Sequence, residues 1–247
     1  MILAKWRLAA FFLVGAVAGG EGVCFGQAVA EAPALAETVK PSERDEWWKS
    51  MHDSFLTQTK AGKIDLLFLG DSITQGWAAE GSKEVWERYY GSRKAANYGI
   101  GGDRTQHVLW RLEHGEVDGI KPKVVVLMIG TNNVGSDSAA DIAAGVKAIV
   151  DRLRKALPDT KVLLLGVFPR GEKPDDTREK LKEVNARIAR LDDGKMVDYL
   201  DIGRHFLNED GSISAEVMPD FLHLSKKGYQ IWADAIEPTV WRMMEGK

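Results

Sequence analysis

Val124-Val125-Val126-Leu127-Met128-Ile129 is apolar at every position and ends in the polar turn Gly130-Thr131-Asn132-Asn133. An unbroken apolar run belongs to a strand covered on both faces, as in a parallel sheet between helical layers. Working outward, Ile64–Leu69 (IDLLFL) and Lys161–Val167 (KVLLLGV) read the same way, and shorter strand candidates lie at Ala95–Tyr98 and Met196–Leu200. Helical patterns separate them. Ile142, Val146, Ile149, Val150, Leu153 and Leu157 recur as a core-facing stripe, which Pro158 bounds. Leu181, Val184, Ile188 and Leu191 repeat it. Ser42 is positioned to cap a first helix from Glu43, with Trp47, Trp48, Met51 and Phe55 on one side. Ser225 is positioned to cap a last helix carrying Ile231, Trp232 and Ile236, which Pro238 kinks or ends. This alternation predicts an α/β fold, with a central parallel sheet, helices on both faces and right-handed crossovers, as one domain over residues 42–247.

Composition narrows the function. The chain has 247 residues, 45% hydrophobic and 28% charged, as in an ordinary soluble domain. A net charge of −3 argues against nucleic-acid binding by phosphate neutralisation. The N-terminus has a different character: Lys5 and Arg7, an uncharged apolar run from Leu8 to Ala18, then Ala28-Val29-Ala30. That order predicts a signal peptide over residues 1–30 and an exported protein, with an uncleaved anchor as the alternative. Residues 31–41, rich in Ala, Glu and Pro, are expected to be a flexible linker. Cys24 is the only cysteine, so cleavage after Ala30 leaves neither a disulfide nor a cysteine metal site. No metal or cofactor is expected. The Gly99–Gly102 turn lacks the dinucleotide spacing, and no histidine pair has zinc-helix spacing.

Ligands of such sheets bind beyond the carboxyl ends of the strands. Three glycine-containing turns lie there: Gly70-Asp71-Ser72-Ile73-Thr74, Gly99-Ile100-Gly101-Gly102-Asp103 and Gly130-Thr131-Asn132-Asn133. Ser72 is a candidate nucleophile at the start of a helical turn, although Asp-Ser alone more often marks a helix cap. Of five histidines, His223 stands out because Asp220 precedes it by three residues, so one short loop can present both. Asp220 would orient His223, and His223 would face Ser72. The N–H groups of Ser72 and Gly102 and the amide of Asn132 could receive an oxyanion. Each residue alone has a bland structural reading; their order along the sheet edge gives the set its weight. His107 and Arg111 are read as structural, and Trp77 as packed.

The segments Phe68–Thr74, Asn97–Asp103, Gly130–Asn133 and Asp220–Ser225 resemble the four blocks of the SGNH (GDSL) hydrolase superfamily. Asn97–Asn133 is especially similar to the catalytic subunits of intracellular platelet-activating-factor acetylhydrolase. The resemblance implies a flavodoxin-like three-layer α/β/α fold, with Ser72 as nucleophile, Asp220 and His223 completing a triad, and Gly102 and Asn132 donating to the oxyanion. It also implies a serine ester hydrolase of short, acetyl-like acyl groups. Export would direct it to small-molecule, carbohydrate or lipid esters. Two rivals remain: a non-catalytic carbohydrate-binding protein on the same fold, and a nucleotide- or flavin-binding module. The sequence leaves a homodimer open.

Overall fold

The computed structural model describes residues 36–245. The signal-peptide expectation therefore lies outside the described residues, as does the linker up to residue 35. The rest of that linker is docked rather than free. Residues Glu37–Val39 form a 3-10 turn in which Thr38 is buried, accepts from Thr105 Oγ1 through its carbonyl and donates its hydroxyl to the Asp141 carbonyl.

Five parallel strands form the sheet: β1 (Leu66–Gly70), β2 (Ala95–Gly99), β3 (Val124–Met128), β4 (Lys161–Leu165) and β5 (Val197–Leu200), in the order β2-β1-β3-β4-β5. This is the flavodoxin-like order, with its switch point where β1 lies between β2 and β3. The helices are α1 (Glu46–Ala61), α2 (Ser72–Gln75), α3 (Ser82–Tyr90), α4 (Thr105–Glu113), α5 (Ala139–Ala156), α6 (Asp176–Ile188) and α7 (Lys226–Glu245). Among the described residues, no helix is long and apolar enough to cross a membrane.

The strand period sorts the core into two layers. Leu67, Leu69, Val125, Leu127, Val162 and Leu164 pack with Trp48 and Phe55 of α1, Val108 and Leu112 of α4, and the apolar stripes of α5 and α6. The alternate residues Leu66, Phe68, Val124, Val126, Leu163 and Leu165 pack with Val85 and Tyr90 of α3 and with Trp232 and Ile236 of α7. Trp77 is buried in this second layer, its ring centroid 4.5 Å from that of Tyr229 and 5.0 Å from that of Trp232.

One helix boundary differs from expectation, and one of two alternatives is decided. Asp45, not Ser42, caps α1, its side chain accepting from the Trp48 N–H, while the Ser42 N–H is taken by the Gln106 carbonyl. A carboxylate cap is also favoured by the partial positive charge at a helix start. Pro238 does not end α7, which runs on to Glu245. Ser225 does cap it, accepting from the Gly228 N–H.

Candidate active site

Ser72 is the first residue of α2, separated from the end of β1 by Asp71 alone. The turn is tight because Gly70 leaves room for it: a Cβ there would collide with Thr74 Oγ1 and the Met128 carbonyl. A Cβ at Gly99 would likewise run into the backbone of Thr74 and Gln75, so α2 sits close on the end of β2. Asp71 caps α2 by accepting from the Ile73 N–H at 3.0 Å, and Tyr229 of α7 donates to the Ile73 carbonyl at 2.7 Å. Asp71 is fully buried. Burial pushes its carboxyl up to about 7; the Ile73 N–H pulls it down and the charge of Asp103 adds to the rise. With only four residues, α2 offers individual N–H groups at Ser72 rather than the field of a long helix.

His223 approaches Ser72 from a loop distant in sequence. Ser72 Oγ lies 2.8 Å from His223 Nε2, and His223 Nδ1 lies 2.7 Å from Asp220 Oδ2. The other carboxylate oxygen of Asp220 accepts from the backbone N–H groups of Leu222 (3.1 Å) and His223 (2.7 Å). One oxygen thus shapes the loop and the other holds the ring. Burial raises the Asp220 pKa, but the hydrogen bonds from the His223 ring and from these two N–H groups outweigh it and hold the carboxyl below its ordinary value. With Asp220 ionised, the proton belongs on Nδ1, which leaves Nε2 to accept from Ser72. The loop carries a strained residue: Phe221 has φ +57°, held by its N–H to the Met218 carbonyl and its carbonyl to the Gly171 N–H. A bulky side chain in that region is rare and persists only when its surroundings impose it.

The second turn stands beside Ser72: a Cβ added to Gly101 would lie 3.7 Å from Ser72 Cβ. Gln75 Oε1 accepts from the Gly101 N–H at 2.9 Å, and the Asp103 N–H closes the turn on the Ile100 carbonyl at 3.2 Å. Gly102 takes φ +78°, which glycine adopts at no steric cost. Asn132 reaches this turn from the end of β3, donating one amide N–H to the Asp103 carbonyl at 2.9 Å. Its second amide N–H remains for a ligand. All five predicted site residues, Ser72, Gly102, Asn132, Asp220 and His223, therefore converge on one edge of the sheet.

Beneath them runs a buried charge network. Arg111 of α4 is fully buried, 3.0 Å from Asp103 and 2.7 Å from Glu116, and it donates to the Tyr98 and Gly70 carbonyls. Asp103 also accepts from Trp48 Nε1 at 2.7 Å and from Arg44 at 3.0 Å, yet burial keeps its pKa raised. His107 accepts from the Arg104 N–H through Nδ1, and burial with nearby arginines pushes its pKa down to about 4; it is a neutral structural residue. Arg44 and Gln75 are the residues that sequence reasoning missed. Arg44 sits in a charged run, Ser42–Asp45, that looks like any helix start, and Gln75 in a short polar turn.

The model of the GDSL-like lipase/acylhydrolase family matches residues 68–231. The chain belongs to this family. The alpha1 subunit of platelet-activating factor acetylhydrolase IB from Homo sapiens is 39% identical over 216 residues, covering 87% of this chain and 92% of that protein. The alpha2 subunit from Rattus norvegicus is 38% identical over 218 residues, with the same two shares. Among solved structures, a GDSL-like lipase from Bacteroides thetaiotaomicron superposes with a TM-score of 0.63 at 20% identity, covering 77% of this chain and 97% of its own. A carbohydrate acetylesterase from Sinorhizobium meliloti gives 0.58 at 21% identity, over 73% and 100%. These two bear on the fold, which is that of SGNH hydrolases. The family match and the relatives make the protein a carboxylic ester hydrolase.

Proposed function

We propose that the protein hydrolyses short-chain, acetyl-like esters through an acyl-serine intermediate, with Ser72 as nucleophile, His223 as general base and acid, and Asp220 as its orienter. The observation that carries this is the continuous relay of 2.8 Å from Ser72 Oγ to His223 Nε2 and 2.7 Å from His223 Nδ1 to Asp220 Oδ2. Ser72 Oγ attacks the ester carbonyl while His223 Nε2 takes its proton. The oxyanion rests on the N–H groups of Ser72 and Gly102 and on the spare N–H of Asn132. His223 then gives the proton to the departing alcohol, and a water deprotonated by the same Nε2 releases the acid and frees Ser72.

The acetyl assignment draws on the relatives, which are acetylhydrolase subunits, and on the carbohydrate acetylesterase that shares the fold. The alcohol is read as a carbohydrate or a lipid, and export through residues 1–30, expected from the sequence, is part of the same proposal. The test is turnover of p-nitrophenyl acetate, butyrate and octanoate, with Ser72→Ala in parallel. Rates should fall with chain length, and the variant should lose on the order of 10³-fold or more in kcat. Turnover that survives in Ser72→Ala would refute the nucleophile. An inactive native protein would favour the non-catalytic carbohydrate-binding reading.

A further inference from the structure

We infer that Arg44 is a positioning residue for the oxyanion site: by gripping the Gly101 carbonyl it sets the direction and donor strength of the Gly102 N–H. The inference rests on the proposed role of Gly102. The Gly101 carbonyl and the Gly102 N–H are the two ends of one planar peptide, and in a trans peptide they point in opposite directions. Arg44 Nη1 donates to that carbonyl at 2.8 Å, so the N–H at the far end is aimed away from Arg44. The guanidinium lies against the turn: a Cβ built on Gly102 would stand 3.1 Å from Nη2 and 3.3 Å from Nη1. The neighbouring peptide is pinned independently, because the Gly101 N–H is bound by Gln75 Oε1. The Gly101–Gly102 unit is therefore held at both sides, with Arg44 fixing its rotation.

Charge adds to geometry. A cationic donor on a carbonyl draws electron density through the amide and makes the N–H at the other end a better donor. Arg44 is itself anchored, since the same Nη1 contacts Asp103 Oδ1 at 3.0 Å, and Asp103 is held by Trp48 and Arg111. The Arg44 side chain is 23% exposed, so this contact is shielded from water on most sides. Arg44 precedes α1, on the segment docked through Thr38 and Ser42, and lies outside the span 68–231 that matches the family model. That segment thus completes the site from outside the matched region.

The test compares Arg44→Met and Arg44→Lys with the native full-length protein on p-nitrophenyl acetate, with Ser72→Ala alongside and thermal unfolding of each. For Arg44→Met, kcat should fall on the order of 10-fold, less than for complete loss of an oxyanion donor, with KM within about twofold. Millimolar guanidinium should restore part of the lost kcat, which a purely structural role would not allow. Arg44→Lys keeps the charge but not the planar fork, and should fall in between at native stability. Native kcat in Arg44→Met, or a loss that follows only the unfolded fraction and ignores guanidinium, would overturn the inference. If Arg44→Met does not fold, Arg44→Lys decides: a several-fold lower kcat at native KM supports the inference, and native kcat overturns it. Full turnover in Ser72→Ala would instead remove the reading on which the inference stands, and the inference with it.

Discussion

On the β1–β2–β3 side of the site, Ser72 and the Gly101–Asp103 turn rest on buried charge: Arg111, Asp103 and Glu116 are each fully buried. Across from them, the side chains of Asp220 and His223 are 56% and 45% exposed, on a loop held by backbone hydrogen bonds and by Phe221 at positive φ. Ser72 and the Gly101–Asp103 turn are thus fixed from below by ionic contacts that water cannot screen. His223 and its loop are fixed from within by the two oxygens of the Asp220 carboxylate. In the proposed reaction the first half needs rigidity, because oxyanion donors must be aimed before charge develops. The second must pass a proton between serine, leaving group and water, which suits an accessible loop.

The contrast can be broken from either side. The larger effect on stability is expected below the nucleophile. Arg111→Met strands Glu116 and part of Asp103 without their buried cation, and should cost about 3–5 kcal/mol in denaturant unfolding. A loss below about 1 kcal/mol would mean that the network is not what holds this half. Asp220→Asn should do the reverse. An exposed pair contributes little to folding, so stability should stay within about 1 kcal/mol. Meanwhile kcat should fall on the order of 10²-fold or more, because His223 loses both its preferred tautomer and the partner of its imidazolium. A variant with large stability loss and native kcat would reverse the roles assigned to the two halves.

The same two halves differ in how far the sequence foretells them. The buried strands are legible because no polar residue interrupts Val124–Met128, and strand ends fall within one or two residues of their apolar runs. The site residues are legible because Ser72, Gly102, Asn132 and the Asp220–His223 pair each follow a recognisable turn or spacing. The supports are less so. Arg111 reads as structural from its helix, yet its partners Asp103, Glu116 and the Gly70 carbonyl come from three separate segments that only the fold brings together. Arg44 joins them from residues expected to begin a helix, and Thr38 from residues expected to be free. Phe221 gives no local sign of positive φ, since that conformation is imposed by Met218 and Gly171.

Everything in the proposed reaction depends on Ser72 being a nucleophile activated by His223. The most direct measurement is covalent capture by an alkyl fluorophosphonate, followed by peptide mass analysis of the native protein and of His223→Ala. A single adduct on Ser72 is expected, formed on the order of 10³-fold more slowly in the variant. An adduct on another residue, or equal labelling rates in the two proteins, would contradict it.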